Sequence, residues 1–151
     1  MQITSKFTIA VHIIAAIDYF KDSAKVTSSF LAGSVGANPV IVRNVMGSLK
    51  ESGIIEISQG KSGIILAKSL DEITFYDVYK AVDCVDGKGL FHFHESPNIK
   101  CPVGRCIHLA MDEKLKRVQD TMENELRRIT IADVAADIKK KTGFRYIGGY
   151  L

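Results

Sequence analysis

The sequence predicts a mostly α-helical protein with a small β-wing, organised as a winged helix-turn-helix DNA-binding domain plus a long C-terminal dimerisation helix. Two short helical segments, 27–35 and 39–52, flank the tight turn Gly36-Ala37. Two isoleucine-rich runs follow at 54–57 and 64–66, joined by a segment that contains two glycines. Helix, turn, helix and hairpin in this order are typical of a winged helix. An apolar stripe that recurs every three or four residues from Ile107 then indicates one long amphipathic helix.

The two short segments carry the signals that begin and end helices. Thr27 supplies a hydroxyl N-cap for the first helix. Asn38 followed by Pro39 is an N-cap residue with proline at the first helical position, and Gly53 is favoured just beyond a helix end. Thr4 or Ser5 is expected to cap an earlier helix that packs on this unit. In such a unit, the second helix commonly lies in the major groove of DNA.

The exposed beginning of the second helix is expected to contact base edges. Arg43 suits guanine, Asn44 suits adenine, and Val40 offers an apolar contact to a thymine methyl group. The predicted inward residues of this helix are Ile41, Val45 and Leu49.

Phosphate contacts are expected on both sides of this helix. Ser28 and Ser29 can donate backbone N–H groups at a helix start, and Lys61 lies at the wing tip between glycines. The predicted DNA-contacting residues are Ser28, Ser29, Asn38, Pro39, Val40, Arg43, Asn44, Lys61 and Ser62.

The positive charge of the sequence is concentrated in its first half. Residues 1–68 contain seven Lys and Arg against four Asp and Glu, whereas residues 69–151 contain thirteen of each. The formal net charge of +3 therefore lies in the half with the predicted recognition helix, as a phosphate-binding surface would require. The alternative is that so small an excess arises by chance.

The long helix is expected to run from Arg105 or Cys106 to about Ile129, with charged residues on its other faces. Its stripe is predicted to form the contact between two copies of the chain, because a DNA reader of this size gains a palindromic target by dimerising. The alternative is that the chain's own domain covers the stripe. The predicted dimer contacts are Ile107, Met111, Leu115, Val118, Met122 and Leu126, with Ile129 continuing the spacing.

The predicted domains are a DNA-binding domain at 1–84, a sensor-type loop at 85–104, and the dimerisation helix with a C-terminal helix and tail at 105–151. Cys101, Cys106 and His108 are the candidate redox or metal-binding residues. Thiolate and imidazole suit zinc or iron, but four residues between the cysteines match no common zinc motif. A metal site, a thiol switch and inert cysteines stay open as alternatives, and no cofactor is expected.

Several motifs resemble the Rrf2 family of bacterial transcription regulators. They are MQITSKFTIAVH at 1–12, NPV at 38–40, LKESG at 49–53 and ITFYDVYKAV at 73–82, and the likeness extends to about residue 138. FHFHESPN at 91–98 with CPVG at 101–104 resembles the cluster-free, YwnA-like branch. The resemblance implies a homodimer built on the long helix, a palindromic operator in double-stranded DNA, and control by a small redox, metal or metabolic signal.

The sequence departs from the cluster-binding members of that family. Those members place three cysteines in the loop before the long helix, whereas here it contains only Cys101 and Cys106, and Cys84 lies earlier. His108 lies two residues after Cys106, where the corresponding ligand would lie three residues after the last cysteine. Arg43 replaces an acidic residue of their recognition helix, so a different operator preference is expected.

We therefore expect a dimeric, sequence-specific transcriptional regulator that acts as a repressor, with a redox response through the loop cysteines as a further hypothesis. The alternatives are a winged-helix protein-interaction module without DNA binding and an iron–sulfur or metal-sensing regulator. The sequence has no catalytic constellation, Walker loop or nucleotide-binding glycine fingerprint, so an enzyme is not expected. No apolar run reaches transmembrane length, and the cysteines favour the reducing cytoplasm.

Overall fold

The computed structural model describes residues 4–60, 63–82 and 89–142. The described helices are α1 (Ser5–Phe20), α2 (Ser28–Val35), α3 (Pro39–Glu51), α4 (Phe75–Ala81), α5 (Pro102–Arg128) and α6 (Ile131–Thr142). The strands β1 (Ile55–Ile57) and β2 (Ile64–Leu66) pair antiparallel, and a 3-10 turn covers Leu70–Glu72. Within these ranges, no helix combines the length and the apolar character that crossing a membrane requires. This order of elements confirms the mostly helical fold with a small wing.

The apolar core lies between α1, α2, α3 and the two strands. Its fully buried side chains include Ile13 and Ile17 from α1 and Leu31 from α2. From α3 the core receives Val42, Val45, Met46 and Leu49, a spacing that follows one face of a helix. The expectation that Ile41 faces inward is wrong: Ile41 is 41% exposed, because it lies beside that buried face.

The helix ends of the predicted DNA-binding domain follow the sequence signals closely. Thr27 Oγ1 accepts a hydrogen bond from Phe30 N at 3.1 Å, and Asn38 Oδ1 accepts one from Val40 N at 2.8 Å. Gly36 has a left-handed φ of 68° and donates its N–H to the carbonyl of Ala32. Thr4 precedes α1, as expected, but its side chain makes no capping hydrogen bond. The turn between α2 and α3 is therefore fixed by local chemistry.

The base of the wing is attached to the chain just before α2. Ile64 N donates to the carbonyl of Val26 at 3.0 Å, and Val26 and Gly63 form an isolated parallel bridge. Gly63 has a φ of 65°, and a Cβ there would overlap the carbonyl oxygen of Val26, so only glycine fits. The predicted contacts at the wing tip, Lys61 and Ser62, lie outside the described residues, as do Cys84 and the tail from 143.

The C-terminal end of the long helix α5 contacts the predicted DNA-binding domain. Phe75 N donates to the carbonyl of Ile129 at 2.8 Å, and Ile131 N donates to the carbonyl of Ile73 at 2.9 Å. Thr74 and Asp77 form a capping box at the start of α4. With 27 residues at about 1.5 Å each, α5 is about 40 Å long, and none of its residues is buried.

The predicted start of the long helix and the end of the sensor-type loop at 104 are wrong by a few residues. The helix begins at Pro102, which occupies the first helical position, where its missing N–H is not needed. Gly104 lies in the first turn, and a Cβ there would overlap the carbonyl oxygen of Asn98, so the loop packs directly on this turn. Residues 102–104 therefore belong to α5.

Candidate nucleic-acid interface

The outward face of α3 presents both apolar and polar side chains. Val40 is 57% exposed, and Arg43 and Asn44 are also exposed. Val40 and Asn44 lie on the opposite side of the helix from the buried residues of the core, and Arg43 lies at the edge of that buried face. Ile41 adds a second exposed apolar side chain that the sequence interpretation missed. The signal for it was available, because the spacing of Val42 and Met46 places Ile41 outside the buried face.

A cleft of about 340 Å³, the α2–α3 cleft, separates the starts of these two helices. Its lining includes Ser28 and Ser29 from the first turn of α2 and Pro39 and Arg43 from α3. The first backbone N–H groups of a helix have no partner within it and attract anions. The structure therefore brings the serines predicted to contact phosphate next to the arginine predicted to contact bases.

The cationic side chains of α3 keep their charge available for a ligand. Neither Arg43 nor Lys50 forms an ion pair with any residue in the described ranges. The ion pairs that are present lie on α1 and α5, such as Lys21 with Asp18 at 2.9 Å and Lys116 with Asp120 at 2.6 Å. Asn38 differs in its role: its side-chain oxygen is used to cap α3. This side chain therefore fixes the start of α3 in addition to any contact with a ligand.

The segment before α5 is attached to that helix at two points. Leu90 is buried, and its N–H donates to Gln119 Oε1 at 2.8 Å. One ring nitrogen of His108 lies 3.1 Å from the carbonyl oxygen of His94, and the other lies 3.1 Å from Asp112 Oδ1. Both partners of His108 are acceptor oxygens, so this histidine acts as a structural link between the loop and α5.

The two loop cysteines are exposed thiols near the start of α5. Cys101 occupies the N-cap position, and Cys106 lies in the second turn. The backbone N–H groups of Gly104 and Val103 lower the pKa of the Cys101 thiol by hydrogen bonding to the thiolate. Cys101 therefore has more thiolate character at neutral pH than an ordinary cysteine.

Most of the predicted dimer contacts on α5 are already partly covered within the single chain. Ile107, Met111, Leu115, Met122, Leu126 and Ile129 are half-buried within the single chain. Val118 is 52% exposed, and Val103, outside the predicted set, is 68% exposed. The chain itself therefore covers part of the apolar stripe of α5 and leaves Val118 and Val103 exposed to solvent.

Comparison with known proteins gives a consistent result. The Rrf2 family model, described as an iron-dependent transcriptional regulator, matches residues 3–137. YwnA of Bacillus subtilis (strain 168), named as an HTH-type transcriptional regulator, is 39% identical over 133 residues, covering 88% of this chain and 96% of that protein. A solved structure assigned to a DNA binding protein has a TM-score of 0.68 at 35% identity and covers 86% of this chain and 98% of its own.

A more distant structure shares the fold. CymR, the global cysteine regulator of B. subtilis, has a TM-score of 0.68 at 16% identity, with coverage of 91% of this chain and 98% of that one. The family model spans most of the sequence, including the recognition helix and most of the long helix. The chain therefore belongs to the Rrf2 family of transcriptional regulators.

Proposed function

We propose that this regulator binds a palindromic operator as a homodimer, with α3 of each copy in the major groove. The outward face of α3 carries the proposal, since it combines an unpaired arginine with exposed apolar side chains beside the α2–α3 cleft. In this arrangement Arg43 and Asn44 contact base edges, Val40 and Ile41 contact thymine methyl groups, and the start of α2 contacts a phosphate. The protein acts in the cytoplasm, and its role as a repressor stays a prediction.

The dimer is supported by the way in which α5 projects from the domain. The last turns of α5 are held by α4, and the link between Leu90 and Gln119 lies about two thirds of the way along the helix. The part before Gln119 contacts the loop through His108 and His94 and exposes apolar side chains such as Val103. Apolar side chains on the surface of a helix are stabilised when another surface covers them. A second copy whose α5 lies alongside would bury these side chains.

Titration of a fluorescent duplex of random sequence tests DNA binding first. A DNA-binding protein should bind it with an affinity that falls steeply as salt increases, because phosphate contacts release counterions. Repeated selection from a library of random duplexes should then enrich a sequence with two inverted half-sites about one helical turn apart. Failure to bind duplex DNA at low salt would favour the alternative of a winged helix that binds only proteins.

A redox response is a second candidate, and the lowered pKa of the Cys101 thiol supports it. The thiolate of Cys101 would attack a peroxide, forming a sulfenic acid and releasing hydroxide or alkoxide. The thiol of Cys106 would then attack that sulfur, releasing water and forming a disulfide. Residues five positions apart along a helix have Cα atoms about 8.6 Å apart, beyond the limit of about 7 Å for a disulfide. Oxidation would therefore unwind the first turn of α5.

An iron or iron–sulfur site, which the description of the family implies, does not fit the described donors. Both ring nitrogens of His108 already contact oxygen atoms. Of the three candidate ligands, this leaves only Cys101 and Cys106. In residues 4–60, 63–82 and 89–142, no three His, Cys, Asp or Glu side chains lie together as a metal site would require. A [2Fe–2S] cluster needs four ligands.

A further inference from the structure

Nothing within the protein explains why the residue in the middle of α3, Gly47, is a glycine. Its backbone has ordinary helical conformation, and its φ is not positive. A Cβ built on it would meet no heavy atom within 4 Å in the described part of the chain. Glycine is the least favourable residue inside a helix after proline. Neither backbone geometry nor internal packing therefore accounts for its presence.

Three other glycines of the same domain have a structural reason. Gly36 and Gly53 end α2 and α3 with φ angles of 68° and 74°, and Gly63 packs against the carbonyl of Val26. The space beside Gly36 and Gly53 is open as well, but their positive φ explains them, whereas Gly47 has neither a positive φ nor a neighbour that would exclude a side chain. A mid-helix glycine without such a reason is suited to the close approach of another molecule to the backbone.

Gly47 lies on the side of α3 that carries predicted contacts to DNA bases. It lies seven residues after Val40 and three after Asn44, so all three share one side of α3. This side is opposite to the buried Val42 and Leu49. It is therefore the side that faces the major groove in the proposed complex.

We propose that Gly47 lets the backbone of α3 approach duplex DNA closely, so that Val40, Asn44 and Gly47 form one continuous contact along the groove. This inference rests on the proposed function. A side chain at position 47 would hold the helix away from the groove by about the thickness of a methyl group, about 2 Å. Hydrogen bonds from Asn44 to a base edge need donor–acceptor distances of about 2.7–3.2 Å and would be lost. Gly47 is thus a positioning residue for base contacts made by its neighbours.

The test uses the full chain and the duplex that the wild-type protein selects from a random library. Gly47→Ala should raise Tm by about 2–4 °C, because alanine favours the helix and meets no clash. The same variant should bind the selected duplex about tenfold more weakly, the cost of an overpacked interface. Gly47→Leu should bind more weakly still. If Gly47 had a purely structural role, Gly47→Ala could not make the fold more stable and DNA binding weaker at the same time.

Asn124→Ala, on the exposed side of α5, is the matched control for DNA affinity. It also replaces a poor helix former with alanine but removes an acceptor of Arg127 at 3.0 Å, so its Tm is not compared, and its affinity for the duplex should stay unchanged. If Gly47→Ala binds the duplex as tightly as wild type, the inference is wrong while the proposed function stands. A lower Tm for Gly47→Ala would also overturn it, since the fold itself would then need the glycine. If the wild-type protein selects no duplex, both proposals fail together.

Discussion

The guanidinium of Arg127 lies 3.8 Å from the centroid of the Tyr76 ring. Tyr76 belongs to α4 of the DNA-binding domain, and Arg127 belongs to the last turn of α5. The stacked pair lies next to the hydrogen bond between Phe75 and Ile129. The end of α5 is therefore joined to α4 by both a ring contact and a backbone hydrogen bond.

Arg127→Ala should lower the free energy of unfolding by about 0.5–1 kcal/mol, the usual contribution of a cation–π contact near the surface. Urea denaturation measures this difference. Arg128→Ala is the matched control, because Arg128 is 79% exposed and lies 3.8 Å from Glu125, just as Arg127 lies 3.8 Å from Glu123. Equal losses in the two variants would show that the Tyr76 contact does not stabilise the junction.

His12 should make the stability of the protein sensitive to mild acid. Its Nε2 lies 2.9 Å from Ser34 Oγ, and partial burial lowers the pKa of His12 below its ordinary value of 6.5. Between the lowered value and about 6.5, the unfolded chain binds more protons than the folded one. The free energy of unfolding should therefore decrease as the pH falls below about 6.5 through the folded pKa.

His12→Gln should remove this part of the pH dependence while keeping a hydrogen-bonding group near Ser34. Urea denaturation at about pH 7.5 and at about pH 5 would measure it in both proteins. If the free energy of unfolding decreases equally in wild type and variant between the two pH values, His12 is not the source of the acid sensitivity.

Val118→Asp should convert the proposed dimer to a monomer. Val118 is 52% exposed in the single chain, so a carboxylate there disturbs the isolated fold little but would be buried without a partner between two copies. Light scattering gives the oligomeric state directly. Leu109→Asp is the control, since Leu109 is 86% exposed and lies on another side of α5. A dimeric Val118→Asp protein would place the contact between copies elsewhere.

Cys101 should react with iodoacetamide at a lower pH than a free peptide thiol, because its thiolate is stabilised by the first turn of α5. Mass spectrometry of the modified peptide, in a Cys106→Ser background, gives the rate at each pH. In the proposed redox response, both Cys101→Ser and Cys106→Ser should make operator affinity insensitive to a mild oxidant. An oxidant response that survives in both variants would exclude this pair of thiols.

The DNA-binding domain could be predicted almost residue by residue because its turns depend on local chemistry. Thr27, Asn38 and the glycines at 36 and 53 act through their nearest neighbours in the chain. The start of α5 was missed for the opposite reason. Proline and glycine at 102 and 104 suggest a loop when taken alone, whereas contact between Gly104 and Asn98 fixes the helix there. The amino-acid sequence alone does not show that these two residues touch.

The candidate site was predicted less completely than the fold. Residue type and spacing identified Val40, Arg43 and Asn44, but Ile41 was assigned to the core because isoleucine is usually buried. The link from His108 to the carbonyl of His94 joins residues fourteen positions apart through a loop without regular structure. Periodicity cannot predict such a contact, so the sequence left His108 as a candidate ligand.

Substitution of Arg43 tests the central claim most directly, which is that α3 reads the sequence of double-stranded DNA. Random duplex libraries would be selected in parallel with wild type and with Arg43→Ala, and their affinities for the wild-type duplex measured at equal salt. We expect Arg43→Ala to lose about 1–3 kcal/mol for that duplex and to relax the preference at one base position in each half-site. Unchanged affinity together with an unchanged selected sequence would contradict the placement of α3 in the major groove.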